Sequence, residues 1–99
     1  MKFDLEKDFL PVGSVVSIRF NPNKFMIMGF CTIDGNTKKV YDYSAVLYPT
    51  GLEDLDNVVM FNRDVVKKIH HLGYITDEHN DFKKVIEDAI KKKELKDSK

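Results

Sequence analysis

The stretch from Lys24 to Tyr48 decides the fold, and it reads KFMIMGFCTI (24–33), DGN (34–36) and TKKVYDYSAVLY (37–48). Two runs rich in apolar and aromatic residues flank a turn-forming Asp-Gly-Asn segment, which is typical of a β-hairpin. The first run is apolar on both faces, as expected for a central strand. Gly29 in its middle predicts a bulge or a sharp bend. Simple alternation would put Phe25, Ile27 and Cys31 on one face and Met26, Met28 and Phe30 on the other.

The chain before the hairpin predicts another strand. Between Ser14 and Phe20, apolar residues alternate with others, so that one face carries Val16, Ile18 and Phe20. The segment Asn21-Pro22-Asn23 is a strong turn signal, because proline presets φ and asparagine tolerates unusual dihedral angles. This strand should therefore pair antiparallel with the first strand of the hairpin.

Two more strands are predicted beyond the Asp-Gly-Asn turn. The first spans Val40 to Tyr48, and residues 58–61 form the second, shorter one. Between them, residues 52–57 carry three acids and predict an exposed loop. Asn62 is a suitable N-cap for a helix that starts at residue 63. One face of the Val40–Tyr48 strand carries Tyr41, Tyr43, Ala45 and Leu47.

Residues 65–74 fit two different structures. Their apolar side chains recur at helical spacing, and Gly73 would be a suitable helix end. The alternative is one helical turn over residues 63–66 followed by a strand from Lys67 to Tyr74. The spacing by itself favours the helix, and it rests on Val65, Val66, Ile69 and Leu72.

The C-terminal region predicts an amphipathic helix over residues 77–95. Acids crowd its start and lysines its end, which complements the helix dipole. Its apolar stripe should cover one face of the sheet, and it consists of Phe82, Val85, Ile86, Ala89 and Ile90. The sequence thus predicts one α+β domain over residues 1–99. It has an arm (1–9), a strongly bent antiparallel sheet of four to five strands forming a partial barrel (10–74), and the helix.

Composition narrows the function classes. The chain is 42% hydrophobic and 32% charged, which is ordinary for a globular protein. Sixteen basic and sixteen acidic residues balance, whereas nucleic-acid binders usually carry a basic excess. A single cysteine, acids near the start, and no apolar run of about 20 residues predict a cytoplasmic protein that binds neither nucleic acid nor membrane.

The residues predict no catalytic, cofactor or metal site. A zinc site needs three or four converging ligands, and the adjacent His70 and His71 are expected to point in divergent directions. Cys31 lies in an apolar run and is expected to be a core side chain rather than a nucleophile. No glycine belongs to a phosphate-binding motif. We therefore expect a protein that is not an enzyme.

Tyrosines and methionines are the remaining candidates for function. A row of tyrosines can pack under the C-terminal helix, and this is the favoured interpretation. The other interpretation is a protein-binding surface, because exposed tyrosine and methionine favour interfaces. The candidate partner-binding residues are Tyr41, Tyr43, Tyr48, Met60 and Tyr74.

A series of short motifs resembles a known family. The order is Leu10-Pro11-x-Gly13-Ser14-Val15-Val16, Met26-Ile27-x-Gly29, Tyr41-Asp42-Tyr43, Tyr48-Pro49-x-Gly51, Phe61-Asn62 and Gly73-Tyr74. It is similar to small Gram-positive proteins named only as a domain of unknown function and encoded in type VII secretion loci, often beside LXG-type toxins. The likeness covers about residues 9–90. The turn at residues 21–23 and the basic character of residues 67–72 depart from the family pattern.

The resemblance implies both structure and function. It favours the strand over the helix for residues 67–74. It implies an export chaperone or adaptor in the cytoplasm that binds a secreted toxin or its targeting region, with other small type VII accessory proteins as further candidate partners. The alternatives are an immunity protein and a small-molecule-binding domain. It transfers no catalytic residue, and its motif residues are structural: Leu10, Pro11, Gly13, Gly29, Pro49, Gly51 and Gly73.

Overall fold

The computed structural model describes residues 8–97, and the side chains of residues 8–91. Five strands and a C-terminal helix confirm the predicted α+β class. The strands form one antiparallel sheet in the order β4-β3-β2-β1-β5, which is open because β4 and β5 lie at opposite edges. The elements are β1 (Val15–Ile18), β2 (Lys24–Ile33), β3 (Val40–Tyr48), β4 (Val59–Phe61), β5 (Val66–His71) and α1 (Asp77–Asp97). Residues 1–7 of the predicted arm lie outside the described residues.

The central hairpin pairs β2 with β3, and the predicted bulge at Gly29 is present. The register shifts between Ile27, which pairs with Ala45, and Gly29, which pairs with Ser44. A Cβ atom at Gly29 would lie 2.7 Å from the Ser44 hydroxyl oxygen, so glycine fits this crowded position. The extra residue turns Phe30 onto the face of Ile27. The simple alternation that put Phe30 beside Met26 and Met28 is therefore wrong.

The core lies on one face of the sheet, which we call the inner face. Tyr43 at its centre is fully buried, and its ring contacts Phe9, Phe30 and Phe61 at centroid distances of 5.7–5.9 Å. These edge-on and tilted arrangements are favourable for aromatic pairs. The favoured interpretation of the tyrosines is thus correct for Tyr43, which packs inside the protein.

Helix α1 covers this inner face with a narrower stripe than predicted. Ile86 is buried in the core cluster, and Ile90 packs against the cluster. Phe82 is half-exposed, although its ring contacts Phe30 at 5.8 Å. Val85 and Ala89 are exposed, so they do not belong to the buried stripe.

The segment before β1 is anchored on the core by Tyr43. The Leu10 amide donates to the Tyr43 hydroxyl over 2.8 Å, and that hydroxyl donates to the Asp8 carbonyl oxygen over 3.3 Å. Burial raises the pKa of Tyr43 to about 12. The Arg63 guanidinium lies 4.1 Å from the Phe9 ring centroid and pairs with Asp42 at 3.1 Å. These contacts join residues 8–10 to β3.

The segment between β3 and β5, which includes β4, differs in detail from the prediction. Residues 55–57 form a 3₁₀ turn, and the Asp54 carboxylate accepts from the Asp56 amide at its start. Residues 63–65 form a second 3₁₀ turn after Asn62. This agrees with the predicted alternative of one helical turn followed by a strand. Asn62 does not cap this turn with its side chain. Its amide oxygen instead accepts from the Asp42 amide over 3.0 Å.

A close backbone approach joins the chain before β1 to the chain after β5. The Gly73 amide donates to the buried Ser14 hydroxyl over 3.0 Å. A Cβ atom on Gly73 would collide with the Val12 carbonyl oxygen, so any larger residue must displace backbone. The other predicted structural residues include Gly13 and Gly51, which both adopt positive φ, and Pro49, which follows a cis peptide bond.

Candidate functional groove

The strand β5 has an unusual pairing with β1, because two residues are inserted in it. Ile18 pairs with Val66 and Ser17 with Lys68, so Lys67 is an extra residue. Val16 pairs with Ile69 and Val15 with His71, so His70 is a second extra residue. Each insertion is a β-bulge, in which two residues oppose one on the partner strand.

The two bulges change which side chains share a face. Val66 is buried and Ile69 partly buried, both against the core, while the four polar residues of β5 are exposed. The apolar side chains are thus three residues apart in a strand. This spacing imitates a helix and explains why it favours the wrong structure. The strand expected from the family resemblance is the one observed.

The bulge at His70 also corrects the expectation that the two adjacent histidines diverge. His70 and His71 line the same pocket, opposite Val15. The pocket has a volume of about 440 Å³ and is wide open. Its other lining residues, Lys24 and Tyr48, face each other across β2 and β3.

A second pocket of about 320 Å³ continues from the first, because Lys24 and His70 line both. The bulge at Lys67 places the adjacent Lys67 and Lys68 together in this second pocket. We call the two pockets together the β5 groove. Its lining residues are Val15, Ser17, Ile18, Asn21, Pro22, Lys24, Tyr48, Lys67, Lys68, His70 and His71.

The charge of the β5 groove is positive. Three lysines line it, and none of the described residues lining the two pockets is acidic. The ion pairs between described residues, Arg63–Asp42 and Lys83–Asp8, do not involve these lysines. Partial desolvation, with Lys24 and Lys68 nearby, lowers the pKa of His70. The zero net charge of the chain therefore hides a local excess of positive charge.

Phe20 lies beside the groove and departs from its predicted role. β1 ends at Ile18, and Phe20 adopts a φ of 67° with a side chain that is 101% exposed. Phe20 is therefore not part of the apolar face formed by Val16. It directly precedes Asn21, which lines the groove. A positive φ is uncommon in a residue other than glycine.

The predicted partner-binding residues do not form one surface. Tyr43 is 0% exposed, so its assignment to a partner surface is wrong. Tyr41 and Met60 are partly buried, and Met60 pairs with Ser44 at the β4 edge. Tyr74 is exposed, and only Tyr48 lines the groove.

The groove suits binding of a partner by mixed apolar and ionic contacts. Its apolar lining includes Val15, Ile18 and Tyr48, and its cations are held on strands. Among residues 8–97, no group of three or more histidine, cysteine or acidic side chains is placed to hold a metal ion. Cys31 is partly buried and packs against the core. Helix α1 is the long helix of the described chain, and it is too polar to cross a membrane.

Sequence reasoning missed the groove as a site, although it noticed some of its residues. The basic character of residues 67–72 was visible as a departure from the family pattern. The sequence does not predict the two bulges, which bring consecutive polar residues to one side of β5. A useful signal was the period of three between Val66 and Ile69 in a segment that the resemblance assigns to a strand.

The fold and groove define a small α+β protein with an open, positively charged groove along β5 on its sheet. A family model described as Domain of unknown function (DUF4176) matches residues 9–82, and the chain belongs to this family. No curated protein and no solved structure matches the chain.

Proposed function

We propose that this protein is a cytoplasmic accessory protein that binds a type VII secreted toxin before export, as a chaperone or adaptor. The observation that carries the proposal is the open β5 groove, which combines an exposed tyrosine, apolar side chains and cations. Interfaces between proteins are enriched in aromatic side chains and have a polar rim. The groove offers both on a scaffold of paired strands.

The groove lies apart from the core that stabilises the fold. Val16 and Ile69 pair across β1 and β5 and pack on the inner face under α1. Ser17 and Lys68 form the next pair, and both line the groove. Apart from Ile18, which packs against the core and also lines the groove, β1 and β5 use different side chains for the core and for the groove. The paired strands keep the groove side chains in fixed positions.

Two exposed aromatic residues are suitable anchors for a partner. Tyr48 is 52% exposed at the groove, and Phe20 is fully exposed beside it. Aromatic anchors commonly dominate the binding energy of an interface. The choice of a secreted toxin as the partner comes from the family resemblance and its type VII setting.

The experiment that tests this proposal is co-expression with an LXG-type toxin from the same genome, followed by capture of the complex. We expect capture of the toxin's N-terminal targeting region. Tyr48→Ala should weaken the complex, whereas Tyr74→Ala, an exposed tyrosine outside the groove lining, should not. No complex with any toxin segment would contradict the proposal and favour the small-molecule alternative.

A second candidate is an immunity protein that neutralises the toxin in the producing cell. Such proteins often complement a charged active site, and the positive β5 groove favours this candidate specifically. The same experiment separates the two functions. Binding confined to the toxic C-terminal domain, together with protection from killing, would support immunity and contradict an export role.

A further inference from the structure

The basic side chains of β5 are arranged as a pair of lysines and a pair of histidines on one side of the strand. Lys67 and Lys68 line one end of the groove, and His70 and His71 line the other. In a regular strand, neighbouring residues point to opposite faces, and each pair would be split. Lys24 reaches the groove from β2 and lines both pockets. Two strands, β2 and β5, thus contribute basic side chains to one groove.

The groove is not a simple anion site, because apolar side chains share its lining. Val15 and Tyr48 lie in the first pocket, and Ile18 and Pro22 in the second. A free phosphate would use the cations and leave these apolar groups without a partner. A peptide that carries both carboxylates and apolar side chains would use both kinds of group.

The free edge of β5 is poorly suited to accept an added strand. Strand addition uses a regular row of backbone donors and acceptors. The two bulges interrupt this regularity and twist the edge, and lysines on an edge strand also oppose pairing. A ligand of this groove must therefore be held mainly by side chains.

We propose that the β5 groove binds an extended acidic segment of the partner protein, held by the lysine and histidine pairs of β5 and by Lys24 rather than by strand addition. This inference rests on the proposed partner-binding function and specifies its chemistry. The span from Lys67 to His71 corresponds to a segment of about five residues at ~3.3 Å each. Carboxylates of the segment pair with the cations, and its apolar side chains contact Val15 and Tyr48.

A defined peptide tests the groove without the natural partner. The probe is a seven-residue peptide of alternating glutamate and valine, added to the ¹⁵N-labelled full chain and followed by NMR. We expect chemical shift changes centred on Lys24 and residues 67–71, which decrease as salt is raised. The matched peptide with glutamine in place of glutamate should bind at least about tenfold more weakly. Equal binding of the two peptides, or shift changes elsewhere, would overturn the inference.

Charge reversal tests the inference in the complex with the toxin. The double variant K67E/K68E should lower the affinity for the captured toxin segment at least about tenfold. The control K38E/K39E changes an exposed lysine pair in the β2–β3 turn by the same charge and should leave affinity within about twofold.

The outcomes separate the inference from the proposed function. If the wild-type protein captures the toxin and K67E/K68E captures it equally well, the acidic-segment inference is overturned while the export role stands. If the wild-type protein captures no toxin, the proposed function fails, and the peptide titration still decides the chemistry of the groove. Circular dichroism and thermal unfolding of both double variants establish that they fold.

Discussion

The strands β3 and β5 differ in regularity, and this difference separates the scaffold from the candidate site. β3 carries no inserted residue and alternates its side chains strictly, so that Tyr43 and Ala45 are buried in the core. β5 carries two inserted residues, Lys67 and His70, and gathers its polar side chains on one side. The comparison teaches that the regular strand supplies core side chains, whereas the irregular strand supplies the basic side chains of the candidate groove.

The largest effect on stability is expected at the centre of β3. Tyr43→Ala removes a fully buried ring and the acceptor of the Leu10 amide, and should lower the free energy of unfolding by about 3–5 kcal/mol. Tyr74→Ala is the control, because Tyr74 is 86% exposed, and it should change stability by less than about 0.5 kcal/mol. Urea denaturation followed by circular dichroism measures both. Similar losses in the two variants would contradict the assignment of the core to β3.

Alkaline pH should lower the stability that Tyr43 contributes to the fold. Burial raises the pKa of Tyr43 from 10.0 to about 12, so the unfolded chain releases this proton first as pH rises. The contribution of the raised Tyr43 pKa to the free energy of unfolding is complete below pH 10 and is lost as pH rises toward 12. It totals roughly 2–3 kcal/mol. Urea denaturation at pH 8–12 should show wild type losing its advantage over Tyr43→Phe. A constant difference between the two proteins would refute this titration.

The close approach of Gly73, after β5, to Val12, before β1, tolerates little change in the backbone. Gly73→Ala places a Cβ atom against the Val12 carbonyl oxygen and should cost about 1–3 kcal/mol of unfolding free energy. Gly35→Ala is the control, since no atom lies within 4 Å of its added Cβ. Thermal unfolding compares the two. If the Gly73→Ala protein is as stable as Gly35→Ala, the close backbone contact at Gly73 does not require glycine.

The smallest expected effect is on the pH dependence of groove binding. The lowered pKa of His70 keeps it neutral at pH 7, and protonation at lower pH adds charge beside Lys24, Lys68 and His71. Affinity for the glutamate-valine peptide should therefore rise as pH falls from 7.5 to 5.5, by about two- to fivefold. Fluorescence titration measures it. His70→Gln should reduce this rise, and an unchanged rise would contradict the assignment to His70.

The sequence predicts the regular parts of this fold well and the irregular parts poorly. The alternation in Val40–Tyr48 identifies the buried face, and the Asp-Gly-Asn turn places the hairpin. Gly29 correctly indicates a bulge in β2, but the alternation rule does not follow the chain across it, so Phe30 is assigned to the wrong face.

The candidate site was hidden because its geometry comes from tertiary pairing. No local sequence rule predicts that Lys67 and His70 are inserted residues in the pairing of β5 with β1. Because of these insertions, the apolar residues of β5 are spaced as in a helix. The resemblance to a family supplied the strand, and the pairing supplied the groove. Alternation likewise places Phe20 on one strand face with Val16 and Ile18, because the sequence does not indicate the positive φ at which Phe20 leaves β1.

The most direct test of this account is to remove the two bulges. Deleting Lys67 and His70 together leaves Val66, Lys68, Ile69 and His71 opposite Ile18, Ser17, Val16 and Val15, in regular register. The shortened strand keeps its two core side chains and loses one lysine and one histidine, one from each pair. We predict a folded protein with the circular dichroism spectrum of the wild type and at least about tenfold weaker binding to the toxin segment. Undiminished binding, or loss of the fold, would contradict the claim that the bulges serve the groove.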